Sequence, residues 1–361
     1  MSITPRVSVI MPIHNRENLV GKAIESIRAQ TYEDWELIVV DDGSTDSTRE
    51  VVDSLANRDS RIQLLTVPKQ STIPAVRNIG LHAVKGELIA TMDSDDISDP
   101  KRLELLTNFL EQNQDIAAVS SWAREINDKG DEIALTRTST HPFDLLIETP
   151  LCDPLINAAS IVRKSALDDI GGYDESYALS YDSRLWVMLA LKGYRFVAIP
   201  QFLYTICWHG GNVSHNRNES NRYARLAYAS FWRITEQEYL GRALRWIDES
   251  LSSLKNCDLF IWGTGRAAEL FVEYTHSCSD FHLKGLIDSN HALQGTTRWG
   301  LRINSPENID YLQCERIAIA SRPGQFEIAD FLTHRGFDRE RGDFMPVARL
   351  MIVHEKLLLE G

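Results

Sequence analysis

Cysteine is scarce in this 361-residue chain. Its five residues, Cys152, Cys207, Cys257, Cys278 and Cys314, are far apart and odd in number. They form no CxxC pair and no Cys/His ligand spacing, which excludes a disulfide framework and argues against a structural zinc site. A reducing cytoplasm is the compartment this usage fits. Long apolar runs are missing too, since none reaches the ~18 residues that mark a membrane-spanning helix. The opening MSITPRVSVIMPIHN has no basic region followed by a long apolar stretch, so it does not read as a signal peptide. Positive charge is in deficit: 38 Lys and Arg face 51 Asp and Glu, for a net charge of −13. Duplex nucleic acid wants clustered cations, so it is excluded as a partner. The tail ARLMIVHEKLLLEG (348–361) carries little basic charge. A packed terminal helix is expected there, with peripheral membrane contact at most.

What is present is ordinary for a soluble globular protein, with 43% apolar and 25% charged residues. The length predicts two domains. Two hydrophobic periods alternate through the first hundred residues. VSVIMPI (7–13), ELIVVDD (36–42), IQLLTV (62–67) and ELIATMD (87–93) read as buried parallel strands. The stretches 17–29, 45–56 and 72–84 between them carry helical spacing. This order predicts a doubly wound α/β sheet with right-handed crossovers, whose ligands bind beyond the carboxyl ends of the strands. Three polar clusters fall at those ends: His14-Asn15-Arg16, Asp41-Asp42-Gly43-Ser44 and Asp93 to Asp96.

Farther on, IAAVSSWARE and AASIVRK (158–164) read as strands and NDKGDE as a turn. A helix is expected over 181–192, with Ser180 as N-cap, Gly193 as terminator, and Leu185, Trp186, Leu189 and Ala190 on its buried side. Charge-mixed helical sequence follows. From about 257 an α/β pattern restarts with CDLFIWGTGRAAELF. The expected organisation is a first domain over 1–215, a helical linker over 216–255 and a small Rossmann-like domain over 256–361.

The stretch ATMDSDDISDP (90–100) crowds Asp93, Asp95, Asp96 and Asp99 into seven residues directly after an apolar run. Asp99 and Pro100 fit a helix start, as N-cap and first helical residue. An EF-hand fails, because Ser98 stands where its glycine is required and Pro100 interrupts the loop. The other carboxylates read as a Mg2+ or Mn2+ site that leaves coordination positions open for substrate phosphate.

VSVIMPIHN, QTYEDWELIVVDDGSTD, AVRNIG and MDSDD, in this order and at these intervals, resemble the inverting family 2 glycosyltransferases of the GT-A fold, over residues 6–214. The resemblance implies that Pro12, Asn15 and Arg16 line a nucleotide pocket, that Asp42 accepts a hydrogen bond from the base, and that Ser44 caps the next turn. It implies that Arg77 lies near the ribose and diphosphate, that Asp93 and Ser94 meet the nucleotide-sugar, and that Asp95 holds the metal, with Asp96 behind it. His14 stands where the family usually has Tyr, which weakens base stacking there.

Tyr181-Asp182-Ser183-Arg184-Leu185-Trp186 is similar to the family's Glu-Asp-x-Asp-Leu-Trp, so Asp182 aligns with the catalytic base. Two departures stand out, Tyr181 for Glu and Arg184 for the second Asp. WHGGNVS (208–214) is similar to the family's His-containing loop, which implies that His209 joins the metal or closes over the diphosphate. Gly263, Gly265 and Asp288 fit a GxGxxA turn with a ribose-binding acid, an outline of a second nucleotide site, with a scaffold or homo-oligomer contact as the alternative. The implied function is metal-dependent inverting transfer from a nucleotide-sugar, a UDP-sugar above all, to a glycan or lipid-linked sugar acceptor in surface polysaccharide assembly. Two competitors remain. A sugar nucleotidyltransferase wants a Gly-rich phosphate loop and a nearby Lys, which MPIHNREN lacks. A non-catalytic nucleotide-sugar-binding or scaffolding protein stays open because of the departures around Asp182.

Overall fold

Hydrophobic alternation in the first hundred residues becomes four parallel strands and three helices in the computed structural model. They are β1 (Val7–Ile13), α1 (Val20–Arg28), β2 (Trp35–Asp42), α2 (Thr48–Ala56), β3 (Ile62–Val67), α3 (Ile73–Ala83) and β4 (Leu88–Thr91). The structure describes residues 4–70, 72–142, 145–146, 149, 153–210, 247, 249–307, 315–321, 324–339, 341–348 and 350–351. Most of the expected linker and the C-terminal tail lie outside them.

All eight residues of β2 are buried. Leu37 and Val39 join one apolar cluster with Ala23, Ile24 and Val52, while Ile38 and Val40 join another with Val76. Helices therefore cover both faces, and each fully buried aliphatic side chain contributes about 1.5–3 kcal/mol relative to exposure. On one face the fit is so close that a Cβ at Gly80 of α3 would lie 2.7 Å from Ile10 Cγ2.

The chain continues through β5 (Ile97–Ser98), α4 (Arg102–Gln112), β6 (Ile116–Ile126), β7 (Glu132–Thr136), β8 (Ile161–Arg163), α5 (Lys164–Ile170), α6 (Tyr181–Leu191) and β9 (Arg195–Cys207). Among the described residues these strands form one nine-stranded sheet in the order β3-β2-β1-β4-β8-β6-β9-β5, with β7 paired to β6. β8 runs antiparallel to β4 and β6, so the parallel half ends at β4. The acid-rich loop after β4 and the end of β9 meet through the short antiparallel pairing of β5 with β9.

Three local expectations need correction. α4 starts at Arg102, two residues later than Asp99 and Pro100 suggested, and Asp99 Oδ1 instead accepts the N–H of Lys101 at 2.9 Å. Ser180 stands at the N-cap of α6 but with φ +56°, and its side chain makes no capping bond. The segment 158–164 is a strand only from Ile161, because Asn157–Ala159 form a single 3-10 turn.

The chain divides into two units, residues 1–234 and 235–361. The second holds β10 (Asp258–Trp262), α7 (Arg266–His276), β11 (His282–Ile287), β12 (Thr297–Arg298), β13 (Leu301–Asn304), β14 (Arg316–Ile319), α8 (Gln325–His334) and β15 (Phe344–Pro346). Its six-stranded sheet runs β12-β13-β11-β10-β14-β15, parallel apart from the β12–β13 pair. Counted by its parallel strands, the order is 3-2-1-4-5. Among the described residues no helix is long and apolar enough to cross a membrane.

Candidate active site

The carboxyl ends of β1 and β2 are tied together by side chains that belong to the loops themselves. Asn15, at φ +51°, accepts the Thr45 N–H on Oδ1 at 2.8 Å and donates its own N–H to Ser44 Oγ at 3.0 Å. Thr48 Oγ1 accepts the Arg16 N–H at 2.7 Å. Buried Asp41 accepts from Ser44 N and from Arg49 Nε. Asn15 and Ser44 thus set the shape of the floor between these strands. Asp42 is met by Lys69 Nζ and the Gln70 N–H, each at 2.5 Å, and a carboxylate with two such partners retains acceptor capacity. Pro12 closes β1 beside them. The Nδ1 of His14 is buried with no partner among the described residues.

The acid loop after β4 is held from three directions. Arg77, only 1% exposed, donates from Nη2 to Asp93 Oδ1 at 2.6 Å and from Nε to Tyr181 Oη at 3.1 Å. Its Nη1 is buried and meets no partner among the described residues. Burial opposes the charge on Arg77, but Tyr181 and Asp93 outweigh it and hold the group firmly protonated. From below, Tyr204 Oη accepts the Asp93 N–H at 3.2 Å, and Arg102 lies under that ring. Arg102 donates to Ser98 Oγ and to the carbonyls of Thr91 and Ala158, and burial pulls its pKa down to about 10. On the β9 side, Asp96 Oδ1 accepts the Cys207 N–H at 2.9 Å. Burial, reinforced by Asp93, pushes Asp96 well above the carboxylate range, which fits a structural acid behind the loop. Ser94 is buried between these carboxylates.

Asp95 faces the other way. Its Oδ2 lies 3.0 Å from His209 Nε2 and 3.5 Å from Arg16 Nε. A carboxylate oxygen and an imidazole nitrogen side by side are ligand types that suit a divalent ion of the Mn2+ or Mg2+ type. Among the described residues no third ligating side chain joins them. The donor set therefore fits an ion whose other positions are left to water or substrate oxygens.

Asp182 sits at the N-terminus of α6, where its Oδ1 accepts the Ser183 N–H at 3.0 Å. Arg184, a residue whose charge could have lowered Asp182, instead donates to Asp174 Oδ2 at 3.0 Å. Burial raises the Asp182 carboxyl above its ordinary range, and the Ser183 N–H and Arg77 pull only partly against it. Asp93 senses the charges of both Asp95 and Asp182. The acid loop and the start of α6 are thus joined by Arg77, which donates to Asp93 and to Tyr181.

Comparison with known proteins gives the chain's family. The sequence profile of Glycosyl transferase family 2 matches residues 8–171. EpsE of Bacillus subtilis (strain 168), named provisionally as a glycosyltransferase, is 33% identical over 210 residues, which cover 57% of this chain and 74% of that one. The chain belongs to glycosyl transferase family 2. An uncharacterized glycosyltransferase of Rickettsia felis is 32% identical over 191 residues, but this chain spans only 30% of that protein's length. TarS 1-349 of S. aureus, solved in complex with UDP-GlcNAc, superimposes with a TM-score of 0.53 at 19% identity over 69% of this chain and 76% of that one, a likeness of fold.

The family 2 match ends at residue 171, so Tyr181, Asp182 and His209 join the cleft by geometry alone. Arg77, Asp93, Asp95, Asp182 and His209 gather around it, while Asn15, Ser44 and Asp42 lie along the adjoining β1–β2 floor. Sequence reading missed Arg102, Tyr173 and Tyr204. Only the basic pair Lys101-Arg102 within PKRLEL gave a hint of the first, and the tyrosines' partners are too distant in sequence to be read. In the second unit, Gly263 has φ +120°, and a Cβ there would lie 3.2 Å from the Ala320 carbonyl. Gly265 caps α7, and Asp288 accepts the Thr264 hydroxyl at 2.7 Å and the Asn290 N–H at 2.8 Å.

Proposed function

We propose that the first unit is a metal-dependent, inverting glycosyltransferase that moves a sugar from a UDP-sugar to a hydroxyl of a glycan or lipid-linked sugar. Asp182 is the general base. It takes the acceptor hydroxyl proton as that oxygen bonds to the anomeric carbon. The bond from this carbon to the β-phosphate oxygen breaks, and the nucleoside diphosphate leaves with the electron pair. The observation that carries this reading is the Arg77 clamp between Asp93 and the start of α6, which brings an acid loop and a carboxylate of raised pKa into one cleft. Asp95 and His209 would hold Mn2+ or Mg2+, which supplies Lewis-acid neutralisation of the departing diphosphate. Arg77 Nη1 offers a fixed N–H to the donor, with Asp93 and Ser94 beside it. Pro12, Asn15, Arg16, Asp42 and Ser44 shape the nucleotide end. The setting is polysaccharide assembly at the cytoplasmic side of a membrane.

The second unit is proposed as a Rossmann-like module following a helical linker, with Gly263, Gly265 and Asp288 at its nucleotide position. The test of the main reading uses the full chain. A panel of nucleotide-sugars with Mn2+ is ranked by thermal stabilisation, and nucleotide release from the best donor is compared between wild type and Asp182→Asn. A loss of about 10²–10⁴-fold with donor binding retained is expected. Unchanged turnover in Asp182→Asn refutes the assignment.

A further inference from the structure

Tyr181, the first residue of α6, reaches across to the guanidinium of Arg77. Arg77 has three guanidinium nitrogens. Nη2 is bound to Asp93, Nε to the Tyr181 phenol oxygen, and Nη1 is buried without a partner among the described residues. The phenol is itself held in place. Tyr181 packs edge-on against Tyr173, with ring centres 5.9 Å apart and planes at 73°. Tyr173 is 2% exposed, and Arg77 lies 5.4 Å from the Tyr181 ring centre. The acceptor that fixes Arg77 from the α6 side is therefore neutral, rigid and one residue away from Asp182.

We propose that Tyr181 is a positioning residue for the transfer reaction: its uncharged oxygen locks Arg77 against Asp93 while adding no further charge beside the base Asp182. This rests on the reading of Asp182 given above. An acid at 181 could accept from Arg77 equally well, but it would add a like charge beside Asp182, and like charges make a carboxylate harder to ionise. The groups that face Asp182 are Arg77 from α3, Asp93 from the acid loop, Tyr173 after α5, and Tyr181 on its own helix. Arg184 is turned to Asp174. Burial keeps the Tyr181 hydroxyl well above its ordinary pKa, so it stays neutral wherever the base works.

Two substitutions separate the two tasks. Tyr181→Phe keeps the ring packing and removes the acceptor. Tyr181→Glu restores an acceptor and adds the charge. The full-length protein is labelled with 13C on aspartate carboxyls, and the Asp182 signal is identified by its loss in Asp182→Asn and titrated in each variant. In parallel, nucleotide release from the best-stabilising UDP-sugar is followed against pH. Tyr181→Phe should lower kcat/KM about tenfold with the Asp182 titration unmoved. Tyr181→Glu should recover part of the rate and move the Asp182 titration upward by about one pH unit or more. The proposal is overturned if Tyr181→Phe retains wild-type kcat/KM, or if the Asp182 titration is the same in wild type and Tyr181→Glu. The carboxyl titration needs no substrate, so a wrong assignment of Asp182 as base would show separately, as turnover surviving in Asp182→Asn.

Discussion

The guanidinium of Arg102 lies 5.3 Å from the ring centre of Tyr204, fully enclosed beneath the acid loop. This pair explains much of how four carboxylates tolerate one another after β4. Arg102 is a buried cation whose direct partners are neutral oxygens, and its charge is felt by Asp93 and Asp96 above. Tyr204 transmits the support through its hydroxyl to the Asp93 backbone. The loop thus has a buried cation beneath it as well as the Arg77–Asp93 pair beside it.

Arg102→Met should therefore destabilise the first unit. It leaves the Thr91 and Ala158 carbonyls without this donor, while Ser98 Oγ keeps Gln30 Nε2, and the loss costs about 3 kcal/mol or more. The melting temperature should fall by roughly 6–12 °C for a unit of this size. Differential scanning calorimetry of the full chain would check this, and an unchanged transition would count against the role of Arg102.

Asp182 carries a stability cost with a definite sign. Its folded pKa lies above its unfolded one, so the folded state binds the extra proton, and stability is lost as pH rises through the folded value. Asp182→Asn should raise the melting temperature at pH 8 and leave it unaltered well below the ordinary aspartate pKa of ~4. Activity runs the opposite way. The acid limb of kcat/KM should lie above the ordinary carboxylate range and disappear in Asp182→Asn.

The Asp95–His209 contact predicts dependence on a divalent ion. Dialysis against EDTA should abolish nucleotide release, and Mn2+ should restore it. His209→Ala should raise the Mn2+ concentration for half-maximal rate by about tenfold or more, since loss of even an outer partner of a metal site costs this much. Full turnover after exhaustive chelation, with no metal detected by elemental analysis, would refute the assignment.

Much of the first unit was legible because its strands are buried on both faces and its helices on one. β1 and β3 occupy the expected 7–13 and 62–67, and β2 begins one residue earlier, at Trp35. What stayed hidden was long-range. Asp96 meets Cys207 and Arg77 meets Tyr181 across 111 and 104 residues, and no local pattern encodes such pairings. Ser180 misled for a different reason: it has the right composition for a cap, but its left-handed backbone carries the hydroxyl out of capping geometry. The Asp182 carboxyl takes a helix N–H in its place.

In the second unit, Gly263→Val should be damaging on two counts. The position needs φ +120°, which β-branched residues avoid, and the new side chain would press on the Ala320 carbonyl. A loss of about 1–3 kcal/mol is expected for strain of this kind. Limited proteolysis should show earlier cleavage within 235–361 and an unchanged pattern in 1–234.

The tight seat of α3 on the sheet has a consequence for how this scaffold diversifies. With only a hydrogen atom at position 80 between helix and strand, Arg77 rides on a wall that cannot slide or tilt without breaking its seam with Ile10. A change of sugar size must then be met by residues outside α3.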